Sequence, residues 1–254
     1  MSTAEETDMT AQKAELPADV LPMEDFTGDE PPIIYLLKGR ADSYRLFSRL
    51  FFKPLTLQDI EEFAAADYIS VAKKLEDDSL LAEGFNDMGR DLKKRHTGTR
   101  QELSTDYTMC FYGIETINGQ VATPYASVFL GENELLNQEP RHKVYRIFRA
   151  ESLGLKSGVD LPEDHLSFEL EFLAILSERT ARALEQGDNM EAIRNLELSQ
   201  TFISDNIFSW YDLLAERAAK MLKTRFYRGV LKATKGYLEL DLNTITGLIE
   251  AIRA

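Results

Sequence analysis

The stretch "IIYLLKGRADSYRLFSRLFF", residues 33–52, has the pattern of an amphipathic helix. Its apolar residues do not alternate as a half-buried strand would require; Leu36, Leu37, Tyr44, Phe47, Leu50 and Phe51 form one broad stripe at the helical period. Pro54 ends the run. Next, "TLQDIEEFAAA" (56–66) opens with Thr56 and, three residues on, Asp59, the spacing of a helix cap, and "SLLAEGFNDMGRDLKK" (79–94) continues in the same style. In "TRQELSTDYTMCFYG" (99–113) Leu103, Tyr107 and Phe111 stack at four-residue intervals and Gly113 supplies a stop. The least helical stretch, "IETINGQVATPYASVFLGENE" (114–134), carries the Asn118-Gly119 turn and Pro124, and predicts an unusually long functional loop. Helical patterning resumes in "PRHKVYRIFRAES" (140–152), stops at "GLKSGVD" (154–160), and predicts helices over 161–185, 190–203, 205–223, 225–238 and 243–253. With no credible alternating strand and no internal repeat, the expected fold class is all-α, a single-domain helical bundle.

Composition narrows the function. The 254 residues, 44% of them hydrophobic, suffice for a substantial core. Residues 1–32 hold nine carboxylates against Lys13 alone, together with four prolines, which predicts a disordered acidic leader ahead of a helical domain at 33–254. A net charge of -14 and the lack of a basic stripe argue against a nucleic-acid partner and favour a cationic one. The single cysteine, Cys110, allows no internal disulfide and fits a reducing compartment, so a cytoplasmic location is expected. No run approaches the length of a membrane span, and "MSTAEETDMT" lacks a signal peptide's basic and apolar regions, so neither insertion nor export is expected.

The chemistry-bearing candidate is "VDLPEDHLSFELEFL", residues 159–173. As structure, Asp160 reads as an N-cap, Glu163 as its capping-box partner and Pro162 as a first-turn residue. That pattern leaves Asp164 and His165 unexplained. His96 and His142 lie in other segments without metal-ligand spacing, and there is neither a Gly-x-Ser-x-Gly elbow nor a P-loop, so no catalytic residue, metal site or cofactor is expected. What the residues allow is a peptide-binding groove. Tyr107 and Phe111 lead into the loop bearing Tyr125 and Ser127, while Pro162, Glu163, Asp164 and His165 form an acidic rim suited to a peptide with arginines beside an apolar segment.

Three segments resemble the TorD/DmsD family of cytosolic molybdoenzyme maturation chaperones, over roughly residues 35–240. "PYASVFL" (124–130) is similar to the family's Pro-x-x-Ser-Val-aromatic-Leu segment, "LPEDHLSFELEFL" (161–173) to its Pro-Glu-Asp-His helix start, and "RFYRGVLKAT" (225–234) to its late Phe-Tyr helix. The resemblance implies an all-helical domain without enzymatic activity. It implies that the chain binds the twin-arginine signal peptide, and the folded part, of a molybdoenzyme catalytic subunit precursor and holds that precursor until its cofactor is inserted. It also implies peptide-binding roles for Asp164 and His165, and for Tyr125, Ser127 and Pro162. Two positions depart from it: Asn206 stands where the family usually has histidine and Ser209 where proline is frequent, while Trp210 is kept. Two rivals remain at this point, a small helical enzyme with His165 as general base oriented by Asp164, and an adaptor subunit without a groove. Segment 154–160 could serve as the hinge of a helix-exchanged homodimer.

Overall fold

A computed structural model describes residues 7–8, 31–75, 79–156 and 158–254. The helices are α1 Pro32–Phe52, α2 Leu57–Ala65, α3 Tyr68–Lys74, α4 Leu80–Lys93, α5 Thr99–Phe111, α6 Ala126–Leu130, α7 Glu139–Ala150, α8 Leu166–Glu185, α9 Asn189–Asp205, α10 Tyr211–Met221 and α11 Arg225–Arg253. Extended structure among the described residues amounts to a two-residue parallel pairing of β1 (Thr7–Asp8) with β2 (Leu153–Gly154) and two isolated bridges. The all-α expectation is therefore correct. Most of the predicted acidic leader lies outside the described residues.

Two long helix pairs, α1 with α8 and α4 with α11, carry the core, and α9 packs on both α8 and α11. Leu37, Tyr44, Phe47, Leu50 and Phe51 of the predicted stripe are buried; Leu36 is only partly so. From Leu166 to Ser177 every residue of α8 is buried, as expected of a helix that is apolar nearly all round and surrounded by partners. The helix starts obey local chemistry. Thr56 Oγ1 accepts from Asp59 N (3.2 Å) while Asp59 Oδ2 accepts from Thr56 N (2.7 Å), the reciprocal cap expected from their spacing. Buried Asp106 of α5 accepts from the backbone N–H groups of Lys223 and Thr224, each at 2.8 Å, and so fixes the start of α11.

Four expectations need correction. The helix predicted from 161 begins at Leu166, and its cap is His165, not Asp160 with Glu163. The pair predicted over 225–238 and 243–253 is one 29-residue helix, α11. The polar interruption that suggested a break contains Asp241, which turns inward to a buried arginine on α1. The segment 205–223 is a 3-10 turn, Ile207–Ser209, followed by the shorter α10. The long loop at 114–134 is interrupted by α6, which docks against the start of α8. None of the described helices is long and apolar enough to cross a membrane.

Candidate functional site

The segment beginning at Pro124 and the turn beginning at Pro162 are joined backbone to backbone. Tyr125 and His165 form an isolated antiparallel bridge, Ala126 N donates to Asp164 O (3.0 Å), and Leu166 N donates to Pro124 O (2.9 Å). Extended backbone before Pro124 is what proline favours in its predecessor, and it presents these groups for pairing. The Asp164 carboxylate completes the junction: its Oδ2 accepts from Ser127 N at 2.8 Å. Tyr125 gives α6 no side-chain cap of its own, so Asp164 caps that short helix from across the junction.

His165 caps the other helix. Its Nδ1 accepts from Ser167 N (3.1 Å), and the ring meets Tyr125 edge-on, with centroids 4.7 Å apart. Burial lowers its pKa to about 3, so the imidazole is neutral and Nδ1 can act as an acceptor. A cation there would lose that bond and oppose the positive end of α8. Burial pushes the Asp164 carboxyl above its ordinary value, while the hydrogen bonds from Ser127 pull it back. Asp164 thus bonds to Ser127, and His165 to the backbone of α8; the acid-base dyad of the enzyme reading is not assembled.

The expected site residues divide by depth. Tyr107 is in the core, donating from its hydroxyl to Phe51 O at 2.6 Å, and Phe111 packs on Phe51 and Tyr227. The groove floor predicted from these two is therefore not at the surface. Tyr125, Ser127, Asp164 and His165 are buried, and burial pushes the Tyr125 hydroxyl up to about 12. Pro162 and Glu163 are half-buried, and Glu163 Oε2 accepts from Arg141 Nε of α7 at 2.6 Å instead of reaching back to Asp160. The buried members hold two segments in register, which no single-segment reading could show.

Beside this junction lies a cleft of about 380 Å³, walled by Ala126, Leu130, Pro140 and Val144, with Lys143 and Arg146 on α7, Asp205, Asn206 and Ser209 opposite, and Glu169 of α8 in its lining. Glu169 is wholly buried and neither carboxyl oxygen has a well-formed hydrogen bond, although the Trp210 indole is near enough to act on it. Burial holds it well above the usual carboxylate range and the nearby Asp164 adds to the rise; the Trp210 indole and Lys143 temper it. Asn206 and Ser209, the two departures from the family pattern, both line this cleft. Sequence reasoning missed Glu169, although a carboxylate inside the run "LSFELEFLAIL" is a polar group with apolar neighbours on every side. Three or more His, Cys, Asp or Glu side chains do not converge on a metal position anywhere among the described residues.

A family model described as nitrate reductase delta subunit matches residues 75–216, more than half of the chain and all of the site just described. The chain belongs to this family. Among its curated relatives, the Chaperone protein TorD of Vibrio cholerae serotype O1 is 26% identical over 217 residues, which cover 85% of this chain and 96% of that protein. The Chaperone protein TorD of Aliivibrio fischeri is 27% identical over 210 residues, 82% of this chain and 95% of that protein. These relatives carry the name of a chaperone, in agreement with the expected resemblance and with a protein that is not an enzyme.

Proposed function

We propose that the chain is a cytosolic chaperone that binds the twin-arginine signal peptide of a molybdenum-containing redox enzyme precursor before export, at the surface formed by α6, α7 and the start of α8. The observation that carries this reading is the company of exposed leucines and acids at that surface. Leu130, Leu135 and Leu136 are 46%, 61% and 42% exposed along one short stretch, next to a cleft whose lining includes Glu139 and Asp205. Clustered exposed leucines on a globular chain mark an interaction surface, and a signal peptide offers the complement, arginines followed by an apolar segment. The net charge of -14 speeds the encounter with such a cation. The family's chaperone relatives support the same reading. A helix-exchanged homodimer, with 154–160 as its hinge, is a further working form within this proposal; residue 157 of that segment lies outside the described residues.

In this mechanism Asp164 and His165 are positioning residues that set the angle at which α6, with Leu130 and the following Leu135 and Leu136, faces the client. Calorimetric titration with a synthetic twin-arginine signal peptide should give binding, and an Arg-Arg to Ala-Ala peptide should weaken it sharply. Asp164→Ala removes the bond to Ser127 N and should weaken binding by about 1–3 kcal/mol while leaving the helical circular dichroism unchanged. Equal affinity for both peptides would sink the signal-reading function. Unfolding of Asp164→Ala would make the residue a stability element and no more.

A further inference from the structure

Among the described residues several buried polar atoms lack a well-formed hydrogen bond, Asp164 Oδ1 and the Tyr227 hydroxyl among them, but Glu169 is the one carboxyl of the set with both oxygens unmatched. Its neighbour on the next turn toward the junction, His165, has its acceptor filled, and Glu171 two residues on is paired with Arg45 at 3.2 Å. Glu169 alone among these has two acceptor oxygens without a well-formed hydrogen bond, and the donor that acts on it from within, the indole Nε1 of Trp210, makes no well-formed bond either, so at most one oxygen is weakly served. Buried polar groups in folded proteins are normally paired, so an orphan facing a cleft points to a donor that arrives from outside. The walls say what kind of donor. Ala126, Leu130, Pro140 and Val144 offer an apolar sleeve, and Glu139 and Asp205 stand among the polar lining. The two cations of the lining are already tied: Lys143 Nζ donates to Asp205 O at 3.2 Å, and Arg146 to Glu139 Oε1 at 2.6 Å. These long side chains are the parts of the lining best able to swing aside.

We infer that this cleft is the subsite for one arginine side chain of the client peptide, its methylene stem lying in the apolar sleeve and its guanidinium fork meeting the two oxygens of Glu169. A planar fork with parallel N–H groups matches a carboxylate bidentately, which a lysine ammonium cannot do. The stem of an arginine is apolar enough for such walls. The inference rests on the signal-peptide reading above and adds to it the residue that reads the arginine.

The charge state supplies a signature. In the free protein burial and Asp164 favour the protonated form of Glu169, against the pull of Trp210 and Lys143; Arg146, Glu139 and Asp205 are the other charged groups lining the cleft. A bound guanidinium favours the carboxylate, so the Glu169 proton leaves to buffer as the ion pair forms. Affinity therefore rises with pH until it passes the raised pKa of the free carboxyl.

The test uses the full chain and the twin-arginine peptide, titrated calorimetrically in two buffers of different ionisation heat. Wild-type protein should release about one proton per peptide bound. Glu169→Gln, the same shape without the charge, should bind about tenfold or more weakly and release none. Leu130→Lys, an exposed change that places a competing cation at the mouth, should weaken binding without disturbing the core. Wild-type affinity and proton release retained in Glu169→Gln would overturn the subsite while leaving the signal-peptide function standing. Weaker binding with proton release retained would also overturn it, reducing Glu169 to a structural residue. Should wild-type protein bind no signal peptide, methylguanidinium becomes the probe, read through the fluorescence of Trp210, the single tryptophan of the chain. A saturable change that is absent with tetramethylammonium and absent in Glu169→Gln would keep the subsite while the signal-peptide function falls. No saturable change would overturn both.

Discussion

Asp241→Ala will lower the stability of this protein by about 3–5 kcal/mol, the cost of leaving a buried charge without its partner. The stranded group is Arg40. Its side chain is 3% exposed, and its Nε and Nη2 donate to the two oxygens of Asp241 at 2.6 and 2.9 Å. Burial works against the arginine charge, and Asp241 more than restores it. The arrangement clamps three helices: Arg40 is on α1, Asp241 on α11, and Arg40 Nη1 donates to Ser177 Oγ of α8 at 3.0 Å. Tyr44 adds its hydroxyl to Asp241, and Tyr237 packs edge-on against Tyr44, so few side chains can rearrange to solvate a freed guanidinium. Chemical denaturation followed by helical circular dichroism measures the loss. The double variant Arg40→Met with Asp241→Leu should recover most of it, because replacing both partners with apolar groups leaves no orphaned charge. A loss under 1 kcal/mol for Asp241→Ala would mean that water reaches Arg40 and that the clamp is not a buried one.

The second large effect runs against helix propensity. Replacing a glycine in a helix interior by alanine normally gains about 1 kcal/mol. Gly236→Ala should instead destabilise by about 3 kcal/mol or more, because α11 crosses α4 at backbone distance there. A Cβ on Gly236 would lie 2.2 Å from Leu81 N and 2.9 Å from Leu80 C, and one on Gly84 only 2.3 Å from Ala233 N. These are main-chain atoms, so no rotamer change relieves the overlap and the helices must separate. Gly39 and Gly247 are the controls: a Cβ at either meets nothing within 4 Å, and alanine there should stabilise by about 0.5–1 kcal/mol. Thermal unfolding of the three single variants decides the matter. If all three shift the same way, propensity rules and the close helix contact carries no energy.

These two results bear on how much of the molecule its sequence discloses. Helix content was legible because each helix announces itself within about four residues, through a repeating apolar stripe, a cap such as Thr56 with Asp59, or a stop such as Pro54. The motif pair at 124–130 and 161–173 was legible as segments, and the structure joins them in one junction. What misled was a local pattern with a tertiary competitor. Asp160 and Glu163 have capping-box spacing, yet Glu163 is taken by Arg141 of α7, and the helix starts five residues after Asp160, at His165 and Leu166. Depth was hidden for the same reason. Tyr107 and Phe111 have the stripe of a helix face in sequence, but whether that face meets a ligand or another helix depends on what packs over it, and Phe51 and Tyr227 do.

That this chain is helical, and where most of its helices run, was readable from the sequence, since periodicity is a sum over neighbours along the chain. Only the tertiary structure decided which buried charges are matched and which is left waiting. Arg40 finds Asp241 across 201 residues, while Glu169 comes to the lining of a cleft with neither oxygen in a well-formed hydrogen bond. A charge in sequence carries no record of its desolvation; that is set by the helices that close around it, which here pair Asp241 fully and leave Glu169 without a well-formed hydrogen bond.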